Sequence, residues 1–282
     1  MAQRVNATSF RLGLNLFWES QWYSKSNYES LFHEDTLIEN YLKNVFENRG
    51  YVFKRLLIKR TPKNTFLFLE VYGNPYFKYA IPEDFREFSK FQTVVSTKGI
   101  QKFLQSLCAN KVHLSVYNYF ILNRIHRRYM TRLHGQFWRF KKYRFTVPVL
   151  NIFMIVLRTK GASLFTRIIR FELELIEQTK KNKIVWRFVS FLKKVIDICE
   201  NQHAGIHGIR LQLKGRFKGR KRPIKVRCGT GMVPFNTFRA EIDYAYSVAL
   251  TINGSYGIKV WVCYKEINPV LKPSKYSKYE TR

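Results

Sequence analysis

The sequence predicts an α+β protein of two domains joined by a basic stretch. Three observations carry that class. Apolar and polar residues alternate at Ile209–Lys214, Phe238–Tyr244 and Ile258–Tyr264, the pattern of strands with one buried face. Helical spacing recurs at Leu37, Ile38, Tyr41, Leu42, Val45 and Phe46, at Leu164, Ile168, Phe171 and Leu175, and at Val185, Phe188, Leu192, Val195 and Cys199. The length, 282 residues, suits about two domains, each able to bury a core.

Taken in order, residues 6–32 read as mostly loop. Trp18 and Trp22 within them are core plugs or, alternatively, surfaces for stacking on a base. Glu34–Arg49 reads as a helix, with Glu34 and Asp35 in the first turn and Gly50 beyond its end. Leu56–Ile58 and Phe66–Tyr72 read as strands joined by the turn Thr61-Pro62-Lys63-Asn64. Gln101–Ala109 reads as a short helix. In the strand Lys111–Tyr119, Val112, Leu114 and Val116 share one face. The order over residues 1–120 is thus helix, strand, strand, helix, strand.

Residues 121–160 read as a basic aromatic bridge between domains. Arg124, Arg127, Arg128, Arg132, Arg139, Lys141, Lys142 and Arg144 lie in it, interleaved with Tyr129, Phe137, Trp138, Phe140 and Tyr143, and Arg124–Arg144 holds no acid. Cations with aromatics suit backbone phosphates and stacked bases; a solvated linker is the plainer alternative. Residues 161–268 form the second domain, two helices on a small antiparallel sheet, and 269–282 a basic tail. Lys180–Lys183 marks the break between the helices, and Gly205 and Gly208 lead into the strand at Ile209.

The first two strands of that sheet are joined by Lys214, Arg216, Lys218, Arg220, Lys221, Arg222, Lys225 and Arg227. Gly215, Gly219 and Pro223 make this connection a turn rather than a tail. Leu211 and Leu213 on one strand must share a core with Phe238, Ala240 and Ile242 on the next. The cations between them cannot be buried without partners. They are expected to reach RNA phosphates, and the opposite sheet edge to hold a protein neighbour.

Composition points the same way. A formal net charge of +31 and a pI near 10.2 repel themselves in the absence of an anionic partner, with nucleic acid considered first and an anionic membrane surface second. The longest apolar run, Phe145–Leu157, is too short and interrupted to span a bilayer. Cys108, Cys199, Cys228 and Cys263 have no CxxC spacing and read as buried reduced thiols. His203 and His207 are broken apart by Gly205, so no metal site is expected. Glu241 and Asp243 share a strand face with Arg239 and read as a structural ion pair rather than an acid–base pair. Gly215–Gly219 lacks the ending of a phosphate loop. No enzyme and no cofactor are expected.

GIRLQLKGRFKG at 208–219, MVPFNTFRAEIDY at 232–244 and Lys259-Val260-Trp261, with Phe10-Arg11-Leu12-Gly13 near the start, resemble the small-subunit ribosomal protein three family. The resemblance implies a KH-like (type II) N-terminal domain, a structural role in the head of the small ribosomal subunit and contact with its rRNA. It places Arg11 in an RNA-binding N-terminal segment. It sets Ser96-Thr97-Lys98-Gly99 at the family's GxxG clamp, with Lys98 and Gly99 matching and Ser96 departing from the first glycine. Residues 73–95 look like an added loop. It sets Lys193 and Lys194 at the basic pair that lines the mRNA entry channel, solvated lysines being the alternative. It implies small-subunit proteins ten and fourteen as neighbours.

The family-like sequence begins almost at once, and Phe, Tyr, Lys, Ile and Asn are heavily used, as in AT-rich genomes. The expectation is synthesis inside a mitochondrion, with the plastid as alternative. The competing functional class is a free-standing KH-type RNA-binding regulator.

Overall fold

The computed structural model describes residues 5–73, 97–108, 110–118, 135–157, 161–178, 182–201, 205–217 and 221–265. The fold is α+β, with one four-stranded sheet in each half.

In the N-terminal half, α1 (Ala7–Arg11) and the short β1 (Ser20–Gln21) precede α2 (Tyr28–Asn48). The second helix starts earlier than its apolar stripe suggested. Its first turns present Tyr28 and Phe32 outward, 59% and 58% exposed and stacked on each other, so they add nothing to the buried periodicity. Gly50 ends it at φ 78°, a conformation that costs glycine little, and donates its N–H to Glu47. β2 (Tyr51–Arg60) and β3 (Asn64–Gly73) form a hairpin. The Thr61 hydroxyl closes its turn, accepting from the Asn64 N–H at 3.1 Å. β3 then pairs in parallel with β4 (Lys111–Asn118), reached through α3 (Thr97–Leu107). Ile38, Leu42 and Phe46 of α2 and Ile100 and Leu104 of α3 pack on Phe53, Leu56, Leu67 and Leu69 of the sheet.

The C-terminal half has α4 (Thr146–Val156), α5 (Ala162–Gln178) and α6 (Asn182–Asn201) on one face of a wholly antiparallel sheet. Its strands are β5 (Ile206–Gly215), β6 (Ile224–Gly231), β7 (Ile242–Thr251) and β8 (Gly254–Tyr264), in spatial order β6-β5-β8-β7.

Three expectations are corrected here. Residues 135–157 are not a connecting bridge: Val149, Leu150, Ile152, Phe153 and Ile155 of α4 lie inside the C-terminal core. A helix buried on all sides has no polar face, so it carries no period to read. Pro148 is tolerated because first-turn N–H groups have no intrahelical acceptor. Secondly, the basic connection itself contains β6, whose Ile224, Val226 and Cys228 pack on the core while Lys225 and Arg227 face out. Thirdly, β7 begins at Ile242. Phe238 is 51% exposed and stacks on Phe10 at 4.1 Å instead of pairing in the sheet. Leu211 and Leu213 therefore share a core with Ala249, Ile258 and Val260, while Ile242 joins Ala7, Val233 and Cys263 on the opposite face.

The halves touch directly. Val52 and Tyr72 of the first sheet enter the C-terminal core. Arg167 of α5 bonds Glu47 of α2 at 3.0 Å and lies over the Phe53 ring.

Candidate nucleic-acid interface

Arg11 is buried and holds the chain together. Its guanidinium donates to the carbonyls of Ala7, Pro234, Phe235, Thr237 and Ala240 at 2.8–3.2 Å. Its donors face main-chain oxygens inside the protein, so its expected RNA contact is corrected to a structural one. Nor are the tryptophans core plugs. Trp18 is 63% exposed, and Trp22 is half-buried, donating its indole N–H to Asp35 at 2.7 Å. Asp35 also holds Arg60, at 2.6 Å.

The cations around residues 139–144 are placed by the aromatics between them. Phe137 and Phe140 are buried against Phe191 of α6, and Tyr143 stacks on Phe145. That pins the segment to α6 and leaves Arg139, Lys141, Lys142 and Arg144 exposed. Five rings were expected to stack on bases; Tyr129 lies outside the described residues, Phe137, Phe140 and Tyr143 lie in or against the core, and Trp138 is 69% exposed. Two cations of α6 join the group. Lys194 sits over Phe140 at 5.4 Å, and Arg187 lies over Tyr143 and donates to its hydroxyl. Lys142 shares the Tyr143 ring. Lys193 is exposed beside Lys194. Behind the segment, burial pushes the Glu172 carboxyl up to about 7, with Arg144 partly offsetting it.

The second group lies on the β5–β6 hairpin. Lys214, Arg216, Lys221, Arg222, Lys225 and Arg227 are all exposed. Lys214 stands opposite Lys225 across the strand pair, and Gln212 opposite Arg227. Like charges so placed repel in an isolated chain. Arg210 and Lys259, which sequence reading left out, lie on the same face, signalled by their polar positions in alternating strands.

Gly99 is exposed in the first turn of α3, where the loop was expected to enter a helix. Arg124, Arg127, Arg128, Arg132, Lys218 and Arg220, and the expected added loop from residue 74 on, lie outside the described residues, as does the side chain of Lys98. The opposite sheet edge, β7, is partly covered by the chain itself. Asp243 accepts the Ala162 N–H at the start of α5, and Glu174 of α5 accepts the Leu250 N–H. Asp243 is thus a helix cap rather than half of an acid–base pair. Among the described residues no group of three His, Cys, Asp or Glu could hold a metal ion, and no helix is long and apolar enough to cross a membrane.

Residues 182–262, which run from α6 through all four strands of the sheet, match the C-terminal domain of ribosomal protein S3. The small ribosomal subunit protein uS3 of Leptospira biflexa is 25% identical over 283 residues, covering 100% of this chain and 98% of its own. The uS3 of Lysinibacillus sphaericus is 24% identical, covering 96% and 97%, and that of Rhodospirillum rubrum 25%, covering 95% and 92%. The chain is thus similar to uS3 proteins along its length and carries the S3 C-terminal domain over residues 182–262. Its relatives are ribosomal proteins rather than enzymes, and the α2-β2-β3-α3-β4 order of the N-terminal half agrees with the KH-like domain that the resemblance implies. The S3 match covers the hairpin cations and Lys193 and Lys194, whereas the cations of 139–144 precede it.

Proposed function

We propose that the chain is a structural component of the head of a mitochondrial small ribosomal subunit, bound to its rRNA through two cationic surfaces. One is the β5–β6 hairpin with Lys214, Arg216, Lys221, Arg222, Lys225 and Arg227. The other is the segment with Arg139, Lys141, Lys142 and Arg144. Lys193 and Lys194 flank the mRNA entry, and small-subunit proteins ten and fourteen are the protein neighbours. The observation that carries this reading is the sorting of side chains around residues 137–145: aromatics turned into the core, cations turned out. Such a surface suits polyphosphate, which binds through many cations at once. The AT-rich residue usage supports an organellar ribosome.

The test reverses Arg220, Lys221 and Arg222 to Glu. Lys221 and Arg222 are exposed, so the purified protein is expected to unfold at the wild-type temperature. The variant is expected to stay out of assembled small subunits. Normal incorporation would show the hairpin to be a solvated surface only.

A further inference from the structure

The hairpin cations continue onto a surface that rRNA contact at a turn does not use. Register places the outward side chains of the C-terminal sheet in rows across its strands. Gly229, Arg210, Trp261 and Tyr244 make one row; Arg227, Gln212, Lys259 and Tyr246 make the next; Lys225, Lys214, Gly257 and Val248 make the third. The β6–β5 side of these rows carries Arg210, Lys214, Lys225 and Arg227, and the β7–β8 side Tyr244, Tyr246 and Trp261 with Lys259. No Asp or Glu occupies an outward position on any of the four strands. The helices α4, α5 and α6 pack on the other face.

Tyr244 and Trp261 stack at 5.4 Å, Phe235 meets Trp261 edge-on, and all three pack against the small cluster of Ala7, Val233, Ile242 and Cys263, which leaves Tyr246 beyond it. Tyr246 crosses over Gly257: a Cβ built on that glycine would lie 3.8 Å from its ring. The ring is 54% exposed, with the Lys259 ammonium 5.6 Å from its centre.

We propose that this outer sheet face binds an unpaired RNA segment, with a base stacked on Tyr246 and the backbone phosphates held by Lys214, Lys225 and Arg227. The proposal rests on the reading of the chain as an rRNA-binding protein and names the kind of RNA this surface takes. A four-stranded sheet backed by helices, with aromatics on its open face, recognises single strands by stacking. Duplex RNA offers phosphates but no exposed base faces, so it would use the cations and leave Tyr246 idle. An acidic polypeptide would equally use the cations alone.

The test uses the full chain and oligouridylate of about 12 nucleotides as an unstructured probe, with a duplex of equal length beside it. Tyr246→Ala is expected to weaken oligouridylate binding about 5- to 100-fold, the range for loss of one stacked base. Tyr246→Phe is expected to bind as wild type, and duplex binding to be the same for all three. Oligonucleotides carrying 4-thiouridine are expected to crosslink to Tyr246 or Trp261 of the wild-type protein, a readout that needs no variant to fold. RNA binding indifferent to Tyr246, with crosslinks elsewhere, overturns the proposal and leaves the rRNA-binding reading standing. Absence of any RNA binding overturns both. Displacement of oligouridylate by polyglutamate as readily from Tyr246→Ala as from wild type assigns the face to an acidic protein neighbour and overturns the proposal.

Discussion

Two single residues decide more than their sequence context suggests. Arg11 closes five carbonyls from both ends of the chain into one buried site. Arg11→Met would leave those oxygens without a donor, and each buried unsatisfied group costs about 1–3 kcal/mol. The expected outcome is a loss of at least about 3 kcal/mol in denaturant unfolding, with RNA affinity per folded molecule unchanged. Glu172 is the second. Burial raises its carboxyl from the ordinary 4.5 to about 7. The folded protein therefore holds that proton more tightly than the unfolded chain. The stabilisation is complete below about 4.5 and is lost as pH rises through about 7. Its full size is on the order of 3 kcal/mol. Glu172→Gln is expected to flatten the dependence of stability on pH between about 5 and 8 and to make the protein more stable than wild type at the upper end. Unchanged pH dependence would mean that the carboxylate ionises freely in the fold.

At the scale of elements, the covered edge of the C-terminal sheet gives the sharpest test. Asp243 on β7 accepts the first N–H of α5 at 2.9 Å, tying helix to strand across the layer. Asp243→Ala is expected to cost about 1 kcal/mol, the usual loss for an N-terminal cap, read as a lower thermal midpoint. A neutral result would mean that packing alone seats α5. The same elements show what a sequence discloses. Helices α2, α5 and α6 and strands β2, β3, β5 and β8 were legible because each buries one face and keeps a period. Helix α4 was not, since Val149 to Val156 is apolar but for Asn151 and reads as a run without direction. Strand β6 was hidden by its own outward cations, although Ile224, Val226 and Cys228 kept the alternation beneath them. Of the candidate interface, the hairpin and α6 cations stood out by charge. The inward turn of Phe137 and Phe140, the carbonyl cage of Arg11 and the placement of Tyr246 on Gly257 depend on contacts between distant segments, which no local pattern carries.

For the whole molecule, the arrangement is one of separated tasks. Carbonyl cages, aromatic packing and the Arg167–Glu47 pair close the two halves against each other. The cations are left on the hairpin, on residues 139–144 and on the adjoining face of α6. A chain of net charge +31 built this way is completed by a polyanion. Many phosphate contacts acting together, with shape-matched burial, hold better than the same cations acting singly. The central claim is that this polyanion is the RNA of a small ribosomal subunit. The direct measurement is sedimentation of the native, full-length protein from its own cells through a sucrose gradient after a high-salt wash. The account expects it to migrate with the small subunit and to leave that fraction when the rRNA is digested. Recovery at the top of the gradient as free protein, with intact small subunits lower down and empty of it, would contradict the account.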